Sequence, residues 1–430
     1  MNYYRLDLKS LMSSVFVWTI FLSDFGLVIA GQSIYFFQIL AFGYLISYLI
    51  YKPYIEKGWL LFFVSAIVSI WASNTLLFEP RQFAGDTYPW TSIKAFINIL
   101  LFYAAYKTTL FAYYKINPNL FLYLSIFMIL YGSVEVLFGS NPAVKEILQL
   151  LHTNPKALDK NSISLLGREH SYGALGYMIA ACILIYFYLT KTLVGYKSYL
   201  ALVCAFLLVL FVILARSKSV YIGVLFFGIL VLILLMKQRN LTFSSILIFC
   251  SALVAIGLVS LVVIQNDYFV DAIEAVTGDV GSGSTFIRFN FLYVAVMQGI
   301  DNPLFGVGPG NYKLFFVEYV DKLGIPIILE LKAITDPSYM LGGIDPTNFF
   351  AGIFSEFGVI TFTAVFYVIF KRILTLLFNK NTSLNTVPLA LMLSPVLFGA
   401  ALGFYYWAVS YFPFFLALLH LDYKRLRKVL

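Results

Sequence analysis

Twelve apolar stretches, each about long enough to cross a ~30 Å hydrocarbon layer as a helix, constrain this chain more than any other feature. They cover residues 10–30, 32–51, 59–77, 92–110, 118–139, 173–190, 198–215, 219–236, 241–264, 349–370, 385–403 and 404–421. Inside lipid the chain must satisfy every backbone N–H and C=O itself, which leaves helices or a closed barrel. Alternating strands of about ten residues, the mark of a barrel, are not seen. The expected fold is therefore an all-α polytopic membrane protein of about twelve transmembrane helices, one integral membrane domain over 1–430. Composition agrees, with 12% charged residues and a mean hydropathy of +0.88, against about a quarter charged in soluble domains. No small-residue cleavage pattern follows the polar start Met1–Lys9, so no signal peptide is read. Cys182, Cys204 and Cys250 all fall inside apolar runs and read as small buried hydrophobes, with no metal-ligand spacing and no disulfide implied.

Charge sets the orientation. One set of connections holds 17 cations, among them Lys57, Lys107, Lys197, Arg372 and Lys424, against the three acids Asp7, Glu56 and Asp422. These connections face the cytoplasm by the positive-inside rule, which places both termini there and requires an even number of spans. The opposite face carries loops 78–91, 140–172 and 265–348. The last is a large loop with ten acids and four cations. The net charge of +8 is thus a topology signal, and a nucleic-acid surface is not expected. No inverted repeat of the transporter kind is evident.

Four clusters on that opposite face could carry chemistry. Gly167-Arg168-Glu169-His170-Ser171 precedes the run 173–190. Ala215-Arg216-Ser217-Lys218-Ser219 forms the short turn between two spans. Arg288 falls on the first turn of a helix that Ser284 can cap, ahead of the chain break Gly306-Val307-Gly308-Pro309-Gly310. Asp345-Pro346-Thr347-Asn348 opens the run 349–370, with Glu356 two turns inside. Arg216 is the most informative, because a cation between apolar runs costs insertion energy and usually faces a polar cavity. Its planar fork suits phosphate oxygens; the alternative is an arginine that snorkels to the interface. Arg288 divides between anion binding and pairing with neighbouring acids such as Asp279, and Arg168 between anion binding and a solvated loop charge. As acid–base candidates, Glu169, His170 and Asp345 compete with simpler roles: pairing with arginine, interfacial hydrogen bonding, and capping a helix together with Pro346. Asp24 and Glu135 lie within spans as hydrogen-bond partners or polar lining. No Asp-x-Asp, HExxH or phosphate-loop lysine motif occurs, so neither a metal nor a nucleotide cofactor is expected.

These clusters, with Asn302-Pro303-Leu304-Phe305-Gly306-Val307-Gly308-Pro309-Gly310-Asn311-Tyr312 and Ser355-Glu356-Phe357-Gly358-Val359-Ile360, resemble the Wzy-type O-antigen polymerases and the related O-antigen ligases. The resemblance implies a GT-C-like helical glycosyltransferase bundle in the bacterial inner membrane, with its long periplasmic loop carrying short helices. It implies a polyprenyl-diphosphate-linked glycan as donor, no metal, and the arginines at 216 and 288 as diphosphate ligands. Undecaprenyl-diphosphate-linked oligosaccharide, membrane lipids and a polysaccharide chain-length regulator are the partners it suggests. Ligases commonly carry His immediately before the Asn aligned with Asn348; Thr347 stands there in this chain. Polymerase is therefore the expected activity, ligase the alternative within the fold, and a flippase or other transporter the alternative from another class.

Overall fold

A computed structural model describes residues 8–22, 26–29, 32–51, 54–76, 82–83, 86–87, 90–112, 117–139, 141–150, 165–166, 170–189, 191–215, 284–325, 346, 348–378 and 411–429. The predicted runs 219–236, 241–264 and 385–403 lie outside these residues.

The described chain is helical apart from two short hairpins. In order it forms α1 (Leu8–Phe21), β1 (Gly26–Ile29), β2 (Gln32–Tyr35), α2 (Phe36–Tyr51), α3 (Lys57–Leu76), β3 (Gln82–Phe83) and β4 (Asp86–Thr87). There follow α4 (Trp90–Ala112), α5 (Pro118–Phe138), α6 (Pro142–Leu150), α7 (His170–Leu189) and α8 (Tyr196–Leu214). The described chain then continues with α9 (Ser284–Asp301), α10 (Tyr312–Lys322), α11 (Phe349–Phe378) and α12 (Tyr411–Val429). Four of these are long and apolar enough to cross a membrane: α4, α5, α8 and Phe349–Leu376 of α11. Apolar stretches of α1, α2, α3 and α7 are shorter.

The run 10–30 is not one helix, as the hydropathy suggested. α1 stops at Phe21, and the remainder enters the antiparallel pair β1–β2, with Gly26 opposite Tyr35 and Ile29 opposite Gln32. The physical reason is local: Gly26 is a poor helix residue, and Val28, Ile29 and Ile34 are β-branched and fit a pleated ribbon. Loop 78–91 likewise holds the hairpin β3–β4, and loop 140–172 holds α6.

α7 is buried all around from Gly173 to Leu184. Its small residues Ala174, Ala180, Ala181 and Cys182 let neighbours approach closely, which is how helices associate where lipid is as apolar as leucine. Cys182 and Cys204 are buried free thiols. Outward positions such as Leu61, Trp71, Leu130 and Phe206 are exposed, as lipid-facing positions are. A second, smaller core joins α9, α10 and the start of α11 through Phe291, Val294, Phe316, Tyr319 and Ala351.

Polar contacts mark the two ends of the bundle. At one end Lys107, late in α4, meets Glu56 just before α3, and Lys197 donates to Asn119 Oδ1 at 2.9 Å between the starts of α8 and α5. At the other end, the last turns of α3 and the first of α4 receive the loop between α9 and α10.

Candidate functional site

The six residues singled out for chemistry divide by where the structure reaches. Arg288 lies in the first turns of α9 and His170 begins α7; their side chains lie outside the described set. Arg168 and Glu169 fall between Leu166 and His170, Arg216 follows the buried C-cap residue Ala215, and Asp345 precedes the buried Pro346; all four are outside the described residues.

The described residues that flank the first two clusters, Leu165 and Phe211, meet at Gly132 of α5. A methyl group placed on Gly132 would lie 3.1 Å from the Phe211 ring of α8 and 3.3 Å from Leu165. In the sequence Leu165 stands two residues before Gly167–Ser171, and Phe211 lies one turn before the C-cap residue Ala215. Leu165 is further held by Glu135 of α5, whose buried Oε2 accepts the Leu165 N–H at 3.0 Å. That bond pins an unusual turn: Leu165 and Leu166 both have positive φ, 51° and 63°. Left-handed backbone at non-glycine residues costs about 1–3 kcal/mol each and persists where surroundings enforce it. Glu135 is thus a partner that holds the Leu165–Leu166 turn, a role for which its place inside an apolar run was the sequence signal.

The third and fourth clusters are joined by a knot of backbone hydrogen bonds. α11 is broken at Gly358, whose φ of 76° and ψ of −178° belong to a region only glycine occupies readily. A break strands helix carbonyls and an N–H, and the loop after α9 takes them up. Val307 N donates to Ser355 O at 2.8 Å, Gly308 N to Glu356 O at 3.2 Å, and Val359 N to Pro303 O at 2.7 Å. Ser69 of α3 donates to Phe305 O at 2.6 Å and to Glu356 O at 2.9 Å. Glu356 is 1% exposed, and its Oε2 accepts the Gly310 N–H at 2.8 Å. Irregular backbone is tolerated at membrane depth only with such internal pairing.

The loop's glycines are placed by close approach. Gly306, Gly308 and Gly310 all have positive φ, and a methyl group there would meet Ser355 O at 2.4 Å, Ser73 Oγ at 2.2 Å and Thr91 O at 2.5 Å respectively. Asn311 locks the end of the loop. Its Oδ1 accepts from Thr91 at 2.6 Å and Ser92 at 3.4 Å, and its Nδ2 donates to Val307 O at 3.1 Å. Gln298 of α9 donates to Tyr312 O at 3.1 Å and accepts from Ser355 Oγ at 2.7 Å. Arg288 is therefore carried on a helix whose far end is fastened to α11 and α10. Sequence reasoning missed Ser69, Thr91 and Gln298, and named Asn311 only as part of a motif. The four-residue spacing of Ser65, Ser69 and Ser73 inside an apolar run was the available signal.

The start of α11 corrects one assignment. The cap is Asn348 and not Asp345, with Asn348 Oδ1 accepting from Phe350 N at 2.9 Å and Ala351 N at 3.1 Å. Asn348 is adjacent to the first helical residue and Asp345 is not, so only Asn348 can reach the orphan N–H groups of that turn.

Residues 203–366 match a family model described as O-antigen ligase. The match covers less than half the chain. It takes in α8 from Val203, position 216, α9 with Arg288, the knot, and α11 through Phe366. No curated protein and no solved structure matches this chain.

Proposed function

We propose that this protein is a glycosyltransferase that polymerises undecaprenyl-diphosphate-linked polysaccharide repeat units at the periplasmic face of the bacterial inner membrane. The observation that carries the reading is that the O-antigen ligase family match spans 216, 288 and the knot in one segment. In this reading the bundle has about twelve spans, is GT-C-like, has both termini in the cytoplasm, and presents the loop 265–348 to the periplasm. A hydroxyl of the acceptor glycan attacks the anomeric carbon of the donor. The new glycosidic C–O bond forms as the bond from that carbon to the diphosphate oxygen breaks, and undecaprenyl diphosphate departs with the electron pair. The hydroxyl proton goes to Glu169, His170 or Asp345, or to water. The leaving group is already good, so positioning and charge stabilisation supply most of the rate. Arg168, Arg216 and Arg288 would bind the diphosphate, and a chain-length regulator would be its protein partner.

Ligation of the glycan onto lipid A-core is the second reading, favoured by the description of the matching family. Thr347, where ligases commonly carry His, weighs against it. The test is purified protein incubated with its lipid-linked repeat unit, with and without lipid A-core. A ladder of longer lipid-linked glycans is expected, and Arg216→Lys and Arg288→Lys should each lower its yield about tenfold or more by losing the paired-donor geometry. A single transfer onto lipid A-core would make it a ligase. Movement of the glycan lipid across vesicles with no new glycosidic bond would make it a transporter.

A further inference from the structure

Asn290 stands on α9, is 6% exposed, and its amide nitrogen Nδ2 has no hydrogen-bond partner among the described residues. Buried donors are nearly always paired, because an unpaired one gives up its bond to water for nothing. The same helix shows that pairing was available. Gln298, eight residues on and along the same stripe, places both ends of its amide, on Tyr312 O and on Ser355. The unpaired amide thus lies at the end of α9 that carries Arg288, and the paired one at the end tied into the knot.

Helical geometry separates the two positions near that end. Residues 288 and 290 are about 160° apart around the axis, so they serve different parts of a ligand. Asn290 is buried beside the face of α9 that runs through Phe291, Val294, Ala295 and Gln298. A neutral amide can wait in a closed, apolar place where a second cation could not. It suits a neutral oxygen, as an arginine suits a phosphate.

Resting on the reading of Arg288 as a diphosphate ligand, we propose that Asn290 is a sugar-binding residue, donating from Nδ2 to a hydroxyl or ring oxygen of the lipid-linked glycan. The bond is made when substrate enters, and the ligand-free protein is less stable for holding the amide ready.

Asn290→Leu, nearly the same shape without polar atoms, separates this role from a structural one. Affinities for undecaprenyl diphosphate alone and for the lipid-linked repeat unit would be measured on purified full-length protein, together with thermal unfolding of the ligand-free form. The expected result is unchanged affinity for undecaprenyl diphosphate, glycan-lipid affinity about tenfold weaker, the worth of one neutral hydrogen bond, and a melting temperature equal to or above wild type. A lower melting temperature would overturn the proposal, since the amide would then have a partner within the protein. So would undiminished preference for the glycan lipid. If Asn290→Leu does not fold, Asn290→Ala removes the donor without adding bulk, and wild-type glycan preference in that variant overturns it equally. Wild-type protein that binds neither lipid would refute the polymerase reading itself, a different outcome from either of these.

Discussion

Glu56 and Glu356 sit near opposite ends of α3, roughly 20 Å apart along its axis, and accommodate a carboxylate in the bundle by different means. Glu56, on the connection into α3, faces a cation. Lys107 Nζ approaches it at 2.5 Å, Tyr103 donates to it at 3.0 Å, and Lys107 also lies over the Tyr48 ring at 4.6 Å. Burial pushes the Glu56 carboxyl up, but the bonds from Lys107 and Tyr103 and the Lys107 charge outweigh it and hold it below its ordinary value. Glu356 instead receives a backbone N–H, that of Gly310, in a site where glycine allows backbone to approach within bonding range. One end is a charge pair that any Lys and Glu at suitable depth could make. The other depends on three loop glycines, a broken helix and a serine stripe agreeing in register. The end carrying the candidate site is the one whose geometry is over-determined.

The sharpest way to break this comparison is Gly358→Ala. Its φ and ψ are nearly closed to alanine, and the added methyl would meet Leu304 O at 2.4 Å. We expect a loss of at least about 3 kcal/mol, combining backbone strain with the loss of several knot hydrogen bonds. Thermal unfolding in detergent and the yield of monodisperse protein would show it. Wild-type stability would mean the break in α11 is not held by the loop.

Next in size is Glu356. Glu356→Ala removes the acceptor for the buried Gly310 N–H and should cost about 1–3 kcal/mol. Glu356→Gln keeps an acceptor oxygen and should retain most of that stability and most of the activity. Loss of turnover in Glu356→Gln with stability intact would instead give this carboxylate a chemical role.

Glu56→Gln should cost about 1–2 kcal/mol at neutral pH, as it removes one charge-assisted partner of the buried Lys107. The sign of the pH dependence follows from the lowered Glu56 pKa. The pair's contribution is complete above the unfolded carboxyl value, about 4.3, and is lost as pH falls through the lower folded value. The gap in melting temperature between wild type and Glu56→Gln should therefore close on acidification below that range. A gap that persisted would mean the side chain contributes shape and not charge.

The smallest effect is expected at Asp301, which meets Lys322 at 2.5 Å between the ends of α9 and α10, with Lys322 54% exposed. Hydrogen bonds from Lys322 and Tyr319 hold the Asp301 carboxyl below its ordinary value, while burial and the Asp301 bond push the Tyr319 hydroxyl up. Solvent screens such a pair, so Asp301→Asn should change stability by about 0–1 kcal/mol and lose even that in high salt. A larger effect would show that the α9–α10 unit relies on this bridge and not on its apolar core.

Much of this was legible in one dimension. Hydropathy placed α2 to α5, α7, α8, α11 and α12, because a run of apolar residues in lipid has few alternatives to a helix, while α6 and α10 fell in its loops. The break at Gly306–Gly310 and the cap region before Phe349 could be read from glycine, proline and asparagine chemistry, though which residue caps, Asn348 rather than Asp345, needed the helix start to within one residue. Residues 26–35 were misread, because a short apolar stretch with β-branched residues supports helix and ribbon alike and only pairing decides. What sequence could not contain is reciprocity between distant segments. Val307 and Ser355, Glu356 and Gly310, Ser69 and Phe305, Glu135 and Leu165 are separated by 30 to 236 residues. A backbone N–H or C=O carries no identity in the sequence, so which ones lose their helical partners, and which loop takes them, is decided only when α3, α4, α9 and α11 pack together.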